Sequence, residues 1–120
     1  MAKNMNANHN YDNKVFTNIQ NTDNGEVNSE TLFYYHQNED IVWAEYNGGS
    51  IKKGFLLGFV RGNGELVFHY QHINLHGEIR TGKCHSTPRI LDDGRMELVE
   101  KWAWTNGDKS SGESTLIEVC

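Results

Sequence analysis

The chain is 120 residues long and carries a net charge of −5, from 16 acidic and 11 basic side chains. That length predicts one domain with a single modest core. The Lys and Arg residues are scattered rather than clustered, so neither nucleic acid nor an anionic membrane is expected as a partner, because each needs a concentrated basic face.

Residues 1–13 are rich in Asn and poor in large aliphatics, and predict a flexible tail ahead of a single domain at 14–120. No apolar run follows Met1-Ala2-Lys3, so no signal peptide is expected, and no stretch has the length of a membrane span. The expected location is cytoplasmic. Cys84 and Cys120 then read as free thiols in a reducing compartment.

Glycine-containing turn signals punctuate the rest, at Asn24-Gly25-Glu26, Asn47-Gly48-Gly49, Gly62-Asn63-Gly64, His76-Gly77, Asp92-Asp93-Gly94 and Asn106-Gly107-Asp108. A weaker one lies at Asn38-Glu39-Asp40. Between them run segments rich in β-branched and aromatic residues. These predict strands near 14–20, 27–37, 41–47, 50–61, 65–75, 78–91, 95–105 and 113–119. Short connections make successive strands antiparallel. No segment has a 3.6-residue apolar period, so little helix is expected. Pro88, the one proline, predicts a bend or bulge late in the sixth strand.

The seventh strand is the most explicit. Met96, Leu98, Glu100, Trp102 and Trp104 share one parity, while Arg95, Glu97, Val99, Lys101 and Ala103 share the other. A period of two means one buried and one wet face. Suppose Gly64, Gly77 and Gly94 each take the left-handed position of a three-residue hairpin loop with a bulge. Arg61 then pairs with Glu65, Asn74 with Glu78 and Leu91 with Arg95. The same ladders set Gly58 against Phe68, Phe68 against Cys84 and Cys84 against Trp102. One inner face results, holding Tyr70, His72, Arg80, Ser86, Glu100, Trp102 and Trp104. Phe55, Leu57 and Phe59 break the rule with apolar outer positions, which predicts a fourth strand covered on both sides or shifted by a bulge. Eight twisted antiparallel strands remove their edges by closing into a barrel. A two-sheet sandwich is the alternative. Gly54, Gly58 and Gly82 within strands fit sharp coiling or room for Trp102 and Trp104.

The segments Lys14-Val15-Phe16, Asn24-Gly25-Glu26-Val27, Glu30-Thr31, Tyr46-Asn47-Gly48-Gly49, His72-Ile73-Asn74, Gly77-Glu78, Thr81-Gly82-Lys83-Cys84, Glu100-Lys101-Trp102-Ala103-Trp104 and Gly107-Asp108-Lys109-Ser110, read together, carry a resemblance. Over roughly residues 11–118 the chain resembles a family of short bacterial lipocalin-like β-barrel proteins of unknown function, often auto-labelled N-acetylglutamate synthase. The resemblance implies a small calycin-type barrel. An acetyltransferase of that kind presents a Gly-rich turn between a strand and a helix. Here Arg61-Gly62-Asn63-Gly64 runs into the strand-like Glu65-Leu66-Val67-Phe68, so the motifs do not support the synthase activity.

The candidate ligand-binding residues are Tyr70, His72, Arg80, Ser86, Glu100, Trp102 and Trp104, a mostly apolar lumen with a few convergent polar groups. The same residues could instead be a satisfied internal network. No catalytic residue is assigned. Glu100 and His72 lie two strands apart, and Cys84 and His85 face opposite sides of one strand. No metal site is assigned either, because His69 and His72 also face opposite ways and His76 sits in a turn. No cofactor is expected. Two readings of function stay open. One is a barrel that binds a small, partly apolar molecule. The other is a structural or interaction protein with a filled barrel, whose outer Phe55 and Phe59 mark a homodimer or partner surface. A cavity of about a few hundred Å³ distinguishes the first from the second.

Overall fold

In the computed structural model, which describes residues 10–119, the three glycine turns behave as expected. Gly64, Gly77 and Gly94 have φ of 90°, 79° and 91°, a region open to glycine without steric cost. Each donates its N–H three residues back, to the carbonyls of Arg61, Asn74 and Leu91. Those same three residues donate to the carbonyls of Glu65, Glu78 and Arg95, closing the bulged loops.

Eight strands follow in chain order: β1 (Val15–Asn21), β2 (Leu32–Asn38), β3 (Ile41–Gly48), β4 (Ile51–Val60), β5 (Leu66–Asn74), β6 (Ile79–Ile90), β7 (Met96–Trp104) and β8 (Ser111–Glu118). Each pairs antiparallel with the next, and β1 pairs with β8, so the meander closes into a barrel. The register is the expected one: Gly58, Phe68, Cys84 and Trp102 lie in one row across β4 to β7. Phe68, Cys84, Leu98, Trp102 and Trp104 are buried, and Lys83 and Lys101 are exposed. Tyr70 and Glu97 are half-buried.

Glycine admits close approach along this row. A Cβ on Gly58 would meet the Val67 carbonyl and the Phe68 backbone, neither of which can swing aside. Gly58→Ala should therefore destabilise the barrel by about 1–3 kcal/mol through overpacking, read as a lower urea midpoint at unchanged slope.

Several expectations need correction. Asn10–Asn13 belong to the barrel rather than to a flexible tail; residues 1–9 lie outside the described residues, as does Cys120. Tyr11 is fully buried and closes one end of the lumen, where its hydroxyl donates to the Gly64 carbonyl at 3.0 Å and its N–H to Gln37 Oε1 at 2.9 Å. A lone Tyr among Asn residues carries no periodicity by which to recognise a plug. The second strand starts at Leu32, not at 27. Asn28 breaks it by accepting from the Glu30 N–H through its side chain and from the Thr31 N–H through its carbonyl. Pro88 produces no bulge. The β6–β7 register runs unbroken through the Pro88–Leu98 pair. β5 ends its pairing at Ser86, so Pro88 sits where β6 has a free side. Phe55, Leu57 and Phe59 are neither covered by the described residues nor moved by a bulge. They are in register with Glu45, Trp43 and Ile41 and are 45–61% exposed.

Candidate functional site

The inner face divides into a deep cluster at mid-barrel and a cluster at the mouth. At mid-barrel, Glu100 on β7 lies between Ser86 on β6 and Ser114 on β8. All three are buried. The Ser114 hydroxyl donates to Glu100 Oε1 at 3.3 Å. Among the described residues, Glu100 Oε2, Ser86 Oγ and the Tyr35 hydroxyl find no hydrogen-bond partner. Ser86 is near enough to help hold the Glu100 carboxyl down but is not in bonding geometry. Burial dominates, and it pushes the Glu100 pKa up to about 7. Burial, and secondarily the Glu100 charge, pushes the Tyr35 phenol well above its ordinary value, so it remains a hydroxyl. Near neutral pH the lumen thus offers a carboxyl that is part acid and part carboxylate, with unfilled capacity for donors and acceptors.

At the mouth, His72 and Asn74 project from β5 and Arg80 from β6, with His72 and Arg80 cross-strand partners. Their common partner is Glu26, in the ten-residue connection 22–31. Arg80 Nη1 donates to Glu26 Oε2 and His72 Nε2 bonds Oε1, each at 2.8 Å. Asn74 Nδ2 reaches both oxygens at 3.4 Å. Burial lowers the His72 pKa against the pull of Glu26, so the ring is neutral near pH 7. The Tyr46 hydroxyl, 2.9 Å from Nδ1, then donates there and leaves Nε2 as the donor to Glu26. Burial works to raise the Glu26 pKa, but the bonds from His72 and Asn74 and the charge of Arg80 hold it below the ordinary carboxylate value. Its ion pair is with Arg80, whose guanidinium carbon lies 4.0 Å over the Trp104 ring.

Between the clusters runs an aromatic wall. Trp104 packs edge-on against Trp102, Tyr70 and His72 at 5.4, 5.7 and 5.8 Å between centroids. A cavity of about 50 Å³ lies against this wall, lined also by Phe33, Leu56, Phe68, Cys84 and Glu100. Gly25, Glu26 and Val27 of the connecting loop supply its outer wall. The space holds roughly three to five waters at ~10–15 Å³ each, well short of a pocket for a drug-sized molecule.

Every candidate from the sequence therefore reaches the lumen or its mouth, but not as one constellation. Ser86, Glu100 and Trp102 belong to the deep cluster, and His72, Arg80 and Trp104 to the mouth. Tyr70 stands between, contacting both Trp104 and Phe68. Arg80 meets Glu26 rather than Glu100, and Glu100 makes no hydrogen bond to His72. Sequence reading missed Glu26, Asn74, Tyr46, Tyr35 and Ser114. Strand parity could have placed Asn74, Tyr46 and Ser114 inside. Glu26 carries no such signal, because it lies in an irregular connection and acts across 46 residues of sequence on His72.

The family model of avidin-like proteins matches residues 9–119, so the chain belongs to that family. No curated protein sequence matches it.

Proposed function

We propose that this member of the avidin-like family binds a small, partly apolar molecule in its lumen. The observation that carries the reading is the deep cluster: a cavity-lining Glu100 whose Oε2 lacks a partner among the described residues, beside Ser86 Oγ, which lacks one there too. Buried polar atoms are almost always satisfied, and exceptions call for a reason. A ligand group that both donates and accepts, such as an amide or a urea, would meet them. Trp102, Trp104 and Phe68 would cover the rest of the molecule. The cavity as it stands is too small for such a guest. Its outer wall, however, is the longest connection in the barrel, joined to the strands largely through side chains. Long loops over a rigid scaffold commonly serve as lids. On this reading binding requires the loop 22–31 to lift away from the cavity.

Native mass spectrometry of protein purified from its own host tests the proposal. A co-purifying mass adduct that Glu100→Gln weakens is the expected result. Bare protein in both samples, under conditions that preserve weak complexes, argues against it.

A second reading has its own support. The small cavity suits a filled barrel, and Ile41, Trp43, Phe55, Leu57 and Phe59 form one exposed apolar strip over β3 and β4. A patch of this kind commonly marks a protein contact. Sedimentation as a dimer that Leu57→Glu converts to a monomer would favour an interaction role, most simply a homodimer.

A further inference from the structure

The mouth cluster is a finished receptor for a carboxylate that the chain fills with its own side chain. Glu26 receives four hydrogen bonds from three residues, and all the donors are fixed in advance. Tyr46 holds the His72 ring. Asn74 is buried, and its Oδ1 accepts from the N–H groups of His76 and Glu78 while its amide nitrogen also reaches Glu78 at 2.9 Å. The Trp104 face holds Arg80, whose Nε points to Asn106 Oδ1 at 3.4 Å. These donors sit on the rigid β5–β6 pair, whereas the acceptor comes from a loop with no strand pairing of its own.

We propose that Arg80, His72 and Asn74 form an anchoring site for the carboxylate of the lumen ligand, and that Glu26 is a built-in stand-in which that carboxylate displaces. The inference rests on the lumen-binding reading and adds the ligand's chemical class: an apolar or aromatic body ending in a carboxylate. The exchange is close to even at the cradle, since one carboxylate replaces another on the same donors. The net gain then comes from the ligand body, which enters the lumen against Trp102 and Trp104 as Val27 leaves it. A neutral ligand would have to break the Glu26–Arg80 pair and return at most a neutral acceptor to Arg80, which is costly for a half-buried charge. The loop thus selects for anionic ligands by having to be out-competed. While it stays latched, apparent affinity falls by the fraction of molecules that are open.

The probe pair is 4-phenylbutyrate and 4-phenylbutyramide, alike in shape and different in charge. Binding to the full-length protein is read by calorimetry and by tryptophan fluorescence. Glu26→Gln should bind the acid at least tenfold more tightly than wild type does, and should prefer the acid to the amide at least tenfold. Adding Arg80→Gln should abolish that preference. Hydrogen exchange checks that Glu26→Gln loosens residues 22–31 and leaves the strands protected, so that a gain in affinity is not read from a damaged barrel. Equal binding of acid and amide, with tryptophan fluorescence responding to both, overturns the carboxylate cradle and leaves lumen binding standing. Tighter binding of the acid by wild type than by Glu26→Gln also overturns it. If neither probe binds any variant, the cradle falls, and the native mass spectrum still decides the lumen reading independently.

Discussion

Trp102→Ala should cost the fold about 3–5 kcal/mol, the range for removing a large buried aromatic. The ring is 8% exposed and lies over Gly112, where a Cβ would collide with it. It packs edge-to-face on Trp104, and its loss would merge the ring's volume with the existing cavity. The closed barrel gives the neighbouring strands little freedom to collapse into that space. Typical domain stability is about 5–15 kcal/mol, so this one change removes a large share of it. Urea denaturation of wild type and variant measures it. A difference under about 1 kcal/mol would mean that the ring is not core.

Glu100→Gln should change the pH dependence of stability most. The Glu100 carboxyl has its pKa raised from the ordinary 4.5 to about 7 by burial. Between those values the folded state holds a proton that the unfolded chain has released. The group therefore favours folding fully below pH 4.5, and that contribution is lost as pH rises through 7. A shift of this size corresponds to about 3 kcal/mol, at ~1.4 kcal/mol per pKa unit. Glutamine has no proton to lose. The stability difference, variant minus wild type, should climb by about 3 kcal/mol from pH 4 to pH 8, with the variant the more stable at pH 8. His72, whose burial depresses its pKa, contributes an opposite slope to both proteins and so drops out of the difference. Denaturation at a series of pH values reads the curve. A glutamine variant less stable by about 1.5–3 kcal/mol at pH 8 would instead mark Glu100 as the acceptor in a charge-assisted network.

Register was legible in the sequence because three separate turns each dictated a pairing and all agreed on parity. A one-residue slip in any of them would have put the two strands it joins on opposite faces. The placement of Glu100 beside Ser86, and of His72 beside Arg80, followed from that parity alone. What parity cannot convey is contact made by loops and ends. Tyr11 sits below the barrel and Glu26 above it, and neither belongs to a strand, so no period points to them. Extending the second strand back to residue 27 also concealed the length of the connection that closes the mouth. Phe55 and Phe59 show the opposite limit: local composition suggests cover, but none of the described residues supplies it.

The central claim, that the lumen receives a small molecule at Glu100, is tested most directly by a high-resolution crystal structure of protein purified from its own host. The account predicts continuous non-protein density between Trp102 and Trp104, within hydrogen-bond distance of Glu100 Oε2 and Ser86 Oγ, with residues 22–31 displaced from their position over the mouth. Discrete water peaks at Glu100 beneath an unmoved loop, with Glu26 still on Arg80 and His72, would contradict it.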